Sequence, residues 1–154
     1  MATSAKLVFK PSSDGRTARL KINKIIGLSA TDIPSLIREV RDGFSYQALA
    51  SFESVSGLQL PKVADLIGIP SRTLARRKSV GRLSPEESER LLRISSLLEK
   101  AVELFEGDTG AAVNWLSTPK AALDSQTPLE YGRTEIGARE VEDLIGRLEH
   151  GVFS

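Results

Sequence analysis

The chain has 154 residues, with 21 Lys and Arg against 20 Asp and Glu, 40% hydrophobic residues and no cysteine. This composition is typical of one soluble globular domain, or of two small units sharing a core, and it excludes disulfide and thiolate chemistry. No apolar run reaches the roughly 18 residues of a membrane span, and the first residues lack the order of a signal peptide, so we expect a cytoplasmic protein without a membrane partner.

Charge is unevenly distributed along the chain, although the total nearly cancels. Residues 61–82 carry six basic side chains and one acidic one, whereas residues 83–154 carry seven basic and fourteen acidic ones. A basic segment favours contact with nucleic-acid phosphates. An acidic half is poorly suited to DNA and remains available for a protein partner.

The N-terminal third is predicted to contain a loose segment followed by two short helices. Residues 1–24 mix Ser, Thr, Gly, Pro and Lys/Arg, which favours a flexible arm with at most one short strand. Helical signals begin in residues 31–43, where Thr31 can act as the N-cap. A second amphipathic stretch covers residues 45–57 and ends at Gly57.

The stretch "ADLIGIPSRTLARRK", residues 64–78, is predicted to form a helix-turn-helix. Ala64 provides a small side chain where two helices cross, and Gly68 permits a positive φ at the turn. Ile69 would fill the turn, and Ser71 can cap the second helix. In such motifs the second helix places polar and basic side chains against base edges and phosphates.

The candidate DNA-binding residues lie on this second helix and are polar or basic. They are Ser71, Arg72, Thr73, Arg76, Arg77 and Lys78. A basic, solvated face is common on helices that never contact DNA, and the motif could also be inherited architecture whose contact residues now pack against a protein. The turn sequence together with the basic residues that follow it favours DNA binding over these alternatives.

A homodimer is expected, because one small helix-turn-helix reads too few base pairs for specificity and paired half-sites are the usual remedy. We predict the contact on the apolar face of the two N-terminal helices. Its candidate residues are Leu36, Ile37, Tyr46 and Phe52.

The C-terminal half is predicted to be built on one long helix. Ser84 is a natural N-cap, and Glu87 completes a capping box with it. An apolar stripe then continues to Gly107. A second capping box is predicted between Thr127 and Glu130.

The last helix carries an apolar stripe and closes at Gly151. The stripe consists of Ile136, Val141, Leu144, Ile145 and Leu148. Since no strand-rich region or repeat occurs, the predicted fold class is all-α.

The sequence contains few residues in arrangements that are typical of a catalytic site. His150 is the only histidine and lies at the end of the last helix, without the companions of a metal site or a nucleophile. The carboxylates cluster at helix starts or on exposed faces, where they serve capping and solubility. We therefore expect no catalytic residues, no cofactor and no metal ion.

Several short motifs lie between Arg82 and Ser154. They are Leu-Ser-Pro-Glu-Glu-Ser at 83–88, Asn-Trp-Leu at 114–116, Pro119, Ala-Leu at 122–123, Thr-Pro-Leu at 127–129, Gly137 with Val141, and Gly-Val at 151–152. Taken together they resemble the toxin-binding domain of the Xre/MbcA/ParS antitoxin family, with an Xre-like helix-turn-helix in front of it.

The resemblance implies an antitoxin of a bacterial type II module that covers a RES-domain, NAD-degrading toxin and binds the promoter DNA of its own operon. We accordingly divide the chain into an arm (1–24), a helix-turn-helix and dimerisation domain (25–81) and a toxin-binding domain (82–154). The candidate toxin-binding residues are Trp115, Arg139, Glu142, Asp143, Arg147, His150, Val152 and Phe153.

Other interpretations stay open at this point. Trp115 lies in an apolar helical pattern that is more typical of a core anchor than of a ligand-stacking residue. The tail that ends in Phe153 could fold back on the core instead of entering a toxin site. The chain could also be a stand-alone transcription regulator whose acidic half only oligomerises, or a structural adaptor that binds no DNA.

Overall fold

The computed structural model describes residues 24–151, and within them the regular elements are all helical, so the predicted all-α fold is confirmed. From Ile33 onward the helices are α1 (Ile33–Asp42), α2 (Tyr46–Ser56), α3 (Leu60–Leu66), α4 (Ser71–Val80), α5 (Pro85–Leu104), α6 (Thr109–Leu116), α7 (Pro128–Tyr131) and α8 (Glu135–Glu149), with a 3-10 turn at Ala121–Leu123. None of these helices is long and apolar enough to cross a membrane. The predictions for the arm before Lys24, and those for Val152 and Phe153, lie outside the described residues.

Helix α5 forms the centre of the fold. It begins as predicted, because the Ser84 hydroxyl accepts a hydrogen bond from the Glu87 N–H at 3.1 Å and the Glu87 carboxylate accepts one from the Ser84 N–H at 2.8 Å. Helices α6 and α8 pack most extensively on α5, and α1 and α2 also contact it. One buried apolar cluster therefore runs through both halves of the described chain.

Helices α3 and α4 form the predicted helix-turn-helix. Gly68 has a φ of +77°, and the Ile69 N–H donates to the Ala64 carbonyl at 2.8 Å, which closes the end of α3. Ala64 and Ile69 are buried, as expected for the crossing and the turn. The prediction that Ser71 caps α4 is wrong: Pro70 occupies the N-cap position, and no side chain caps this helix.

Helix α1 starts with a different cap from the one predicted. Asp32, and not Thr31, is the N-cap, and its side chain accepts a hydrogen bond from the Ser35 N–H at 2.9 Å. Ser35 returns a bond by accepting from the Asp32 N–H at 3.2 Å. The two hydrogen bonds form a capping box in which Asp32 is the N-cap and Ser35 occupies the third helical position, where Glu or Gln is usual.

The predicted dimer contact is wrong in two of its four residues. Leu36 and Phe52 are 4% and 1% exposed, because they belong to the core of a single chain. They cannot contact a second copy without unpacking that core. Ile37 is 46% exposed, and Tyr46 is partly buried.

The predicted apolar stripe of α8 contains one error. Val141, Leu144 and Ile145 face the core, but Ile136 is 76% exposed. At 100° per residue, Ile136 lies about 140° around the helix from Val141. The side chain of Ile136 therefore points to solvent, and Ala138 takes the buried place near the start of the helix.

Candidate functional site

Helix α4 presents a basic surface to solvent. Its exposed members among the predicted DNA-binding residues are Ser71, Arg72, Arg76 and Lys78, and Thr73 is partly buried. None of the ten residues of α4 is fully buried, and Leu74 packs against the core from a partly buried position. This orientation directs two guanidinium groups and one ammonium group into solvent, as contact with phosphates and base edges requires.

Arg77 is the basic residue of α4 that the structure places differently. Its Nε and Nη2 donate to the two carboxylate oxygens of Glu87 at 2.8 and 3.0 Å. The two side chains are only 23% and 9% exposed. Because this bidentate pair occupies the guanidinium, Arg77 joins α4 to α5 and is not part of the solvent-facing basic surface.

The pair also changes the titration of Glu87. Burial by itself would raise the pKa of this carboxyl, but hydrogen bonds from Arg77 and from Ser84, together with the Arg77 charge, hold the pKa below its usual range. Glu87 is therefore ionised at neutral pH and serves as cap and ion-pair partner at once.

The turn between α3 and α4 is contacted by a second side chain of α5. Arg90 Nη1 donates to the Ile67 carbonyl at 3.2 Å. A Cβ atom on Gly68 would lie 3.2 Å from the same nitrogen. Glycine thus provides both the positive φ and the clearance for the guanidinium.

Lys62 and Asp65 of α3 face the C-terminal half. Lys62 Nζ lies 3.1 Å from a Glu130 carboxylate oxygen, and Arg133 donates to the Asp65 carbonyl at 2.8 Å. Burial alone would raise the pKa of Glu130, but hydrogen bonds from Lys62 and Arg133 lower it. The Thr127 hydroxyl does accept from the Glu130 N–H at 3.1 Å, but the predicted reciprocal bond of this capping box is absent from the described contacts.

The outward side of α8 carries most of the predicted toxin-binding residues. Arg139, Asp143, Arg147 and His150 are exposed, and Glu142 is partly buried. Ile136, which its hydrophobicity had assigned to the buried stripe, is exposed on the same helix. The sequence already contains the signal for this exposure, because Ile136 lies about 140° around the helix from the buried Val141. We call Ile136 and the four exposed residues the α8 surface.

An open groove lies between α5 and α8, beside the α8 surface. It is lined by Glu89, Leu92, Arg93 and Ser96 of α5 and by Glu135, Ala138, Arg139 and Glu142 of α8. Arg93 donates to the Arg133 carbonyl at 3.1 Å, and Arg139 donates to Glu135 at 3.2 Å. The groove thus combines charges of both signs with a few apolar atoms, which suits a protein surface better than a small apolar ligand.

Trp115 of α6 is partly buried and packs against the core. The Lys120 Nζ lies 4.6 Å from the centroid of its ring, and burial lowers the pKa of this ammonium group. The 3-10 turn that follows Lys120 contacts α8. Trp115 therefore packs on the core with the Lys120 ammonium group over one face of its ring, and its remaining partly exposed surface is available to a partner.

The sequence is similar to known proteins in both halves. Residues 35–96 match the family described as the antitoxin Xre-like helix-turn-helix domain, and residues 100–151 match the antitoxin Xre/MbcA/ParS C-terminal toxin-binding domain. These two ranges contain the basic surface and the α8 surface, respectively.

Curated relatives extend the similarity over most of the chain. A protein named "Antitoxin Xre" from Yersinia enterocolitica serotype O:8 / biotype 1B is 45% identical over 130 residues, which cover 84% of this chain and 88% of that protein. A protein of the same name from Photorhabdus laumondii subsp. laumondii is 31% identical over 148 residues, covering 96% and 99%. Another from Pseudomonas putida is 32% identical over 127 residues, covering 78% of each chain.

Proposed function

The chain belongs to the Xre antitoxin family, and from that premise we propose that it neutralises a RES-domain, NAD-degrading toxin in the cytoplasm and represses the promoter of its own operon. The observation that carries the proposal is the position of two surfaces of different chemistry on separate matched domains. The basic surface of α4 suits DNA, and the α8 surface with its mixed charges suits a protein. Both tasks need complementary surfaces and no catalytic group.

For DNA binding, we assign the direct contacts to Ser71, Arg72, Thr73, Arg76 and Lys78. Arg76→Ala should weaken binding to a duplex of the region upstream of the coding sequence, and the loss of one phosphate contact should flatten the salt dependence by about one unit. Gel-shift titrations at several salt concentrations measure both quantities. Unchanged affinity and slope would remove Arg76 from the proposed interface.

For toxin neutralisation, we assign the contact to the α8 surface, Glu142, Trp115 and the tail with Val152 and Phe153. Inhibition by occlusion requires shape and apolar anchors, and the exposed Ile136 supplies such an anchor beside charged neighbours. We place the tail at the mouth of the NAD pocket, where it denies entry to the substrate.

The tail is tested by deleting residues 150–154. The shortened chain should bind DNA as before, while NAD falls in cells that express it together with the RES-domain toxin. If the shortened protein still protects these cells fully, the tail does not block the NAD pocket, and the inhibitory surface should be sought in residues 109–134.

We further propose a homodimer, since one helix-turn-helix needs a second copy to read two half-sites. The contact is moved from the buried Leu36 and Phe52 to the exposed side of α1. Ile33 and Ile37 are 37% and 46% exposed there and lie four residues apart on one face. Light scattering at micromolar concentration should give twice the mass of the chain, and a monomeric mass would contradict the proposal.

A further inference from the structure

Helix α4 has few attachments of its own to the rest of the molecule. It has ten residues, none of which is fully buried, and it lacks a side-chain cap at its start. Leu74 is its partly buried apolar contact with the core. A helix this short is marginal without tertiary contacts, so the direction of α4 depends on side chains that reach it from other elements.

Helix α5 supplies such side chains. Glu87 accepts two hydrogen bonds from Arg77, and Arg90 holds the preceding turn through the Ile67 carbonyl. Glu87 and Arg90 are three residues apart and therefore point to the same side of α5. The Ser84 N–H also donates to Glu87, so the carboxylate is held in place by its own helix as well as by Arg77.

We propose that Glu87 is a positioning residue for DNA recognition, acting through Arg77 to set the rotation and direction of α4. Arg77 and Leu74 are three residues apart and both face the body of the protein. Since neighbouring residues differ by about 100° around a helix, holding Arg77 inward keeps Arg76 outward. This inference rests on the proposed DNA-binding role of α4.

A positioning role for Glu87 predicts a change in DNA affinity that is opposite in sign to the change expected from simple electrostatics. Removing a negative charge near a DNA-binding helix normally strengthens binding, because less repulsion of phosphates remains. If Glu87 positions α4, its neutralisation weakens binding, because Arg77 is released and the basic surface loses its fixed direction. A generic effect of charge would have the other sign.

The experiment uses the full chain with Glu87→Gln, and Glu86→Gln as the matched control. Glutamine can still accept from the Ser84 N–H, so the cap of α5 is retained. Glu86 is exposed in the same first turn and contacts no residue of α4 in the described hydrogen bonds and ion pairs. The probe is a labelled duplex of the upstream region, titrated by fluorescence anisotropy.

Glu87→Gln should lower the affinity roughly three- to tenfold, whereas Glu86→Gln should leave it unchanged or slightly increase it. Hydrogen exchange should quicken over α4 in Glu87→Gln and stay unchanged over α6 and α8. Arg77→Ala should weaken binding without flattening the salt slope, in contrast to Arg76→Ala. Glu87→Gln should add little to Arg77→Ala, because both changes break the same pair.

Two outcomes separate the inference from the function on which it rests. If Arg76→Ala weakens binding while Glu87→Gln binds as tightly as the unchanged protein, Glu87 does not position α4 and the DNA-binding role stands. If neither variant changes the affinity, α4 is not the DNA-binding element, and both proposals are wrong. Additive losses in the double variant would likewise contradict a shared pair.

Discussion

Helices α4 and α8 both present charged faces to solvent, but they are held in opposite ways. Helix α8 has fifteen residues and buries Gly137, Ala138, Val141, Leu144 and Ile145, whereas α4 buries none of its ten. The direction of α8 is set by apolar packing, which involves no titrating group. The direction of α4 depends on the largely buried ion pair of Arg77 with Glu87, which is lost when Glu87 is protonated. The proposed DNA-reading helix is thus the more adjustable of the two.

The largest expected effect concerns the packing of α8. Ile145→Ala should lower the free energy of unfolding by about 2–4 kcal/mol, because the removed methyl groups leave a cavity in the core. Ile136→Ala on the same helix is the matched control and should leave stability nearly unchanged, since Ile136 is exposed. Urea denaturation of both variants measures the difference. Similar losses in both would mean that α8 is not held by its buried side.

The α8 surface gives the next effect. Ile136→Ser should weaken binding to the RES-domain toxin by about 1–2 kcal/mol through the loss of an apolar anchor, without changing thermal stability. Calorimetric titration of the purified pair measures the affinity, with Val55→Ser on α2 as the control, because Val55 is also an exposed apolar residue (41%) and belongs to neither proposed contact. Equal toxin affinity in both variants would place the toxin elsewhere on the molecule.

The turn before α4 should respond more weakly. Gly68→Ala places a Cβ at a φ of +77° and close to the Arg90 guanidinium, and it should cost about 1 kcal/mol of stability. Gly146→Ala in α8 is the contrasting change, because nothing lies within 4 Å of its added Cβ and alanine favours the helix. Thermal melts should therefore shift in opposite directions, and a stabilised Gly68→Ala variant would contradict this account of the turn.

The smallest effect is a pH dependence confined to the attachment of α3 and α4. Glu87 and Glu130 both have pKa values below the ordinary 4.5, so the stability that they contribute is fully present above that value. It is lost as the pH falls through their lower folded-state pKa values, when protonation releases Arg77 and Lys62. As the solution is acidified, the hydrogen-exchange protection factors, which are corrected for the slower intrinsic exchange at low pH, should fall in α4 before they fall in α8. The reverse order would show that α8 also depends on titrating contacts.

Features set by residues close together in the chain could be predicted from the sequence, whereas features set by packing between helices could not. The capping box of Ser84 with Glu87 and the positive φ of Gly68 depend on residues within one turn of each other, and both predictions are confirmed. Ile136 was misplaced because it was assigned by hydrophobicity, although its angle puts it on the solvent side of α8. The residue lists for DNA and toxin contacts stay predictions, since no partner defines them.

By itself, the sequence determined the all-α class, the start of α5, the helix-turn-helix and the family, because these depend on short-range spacing and on motifs that can be read in order. Only the tertiary structure decided which charged side chains remain free. Arg77 and Arg76 are adjacent in the chain, yet one is paired with Glu87 and the other is exposed. A long side chain finds its partner on whichever element packs beside it, and that neighbour is chosen by burial of the whole core and not by local sequence.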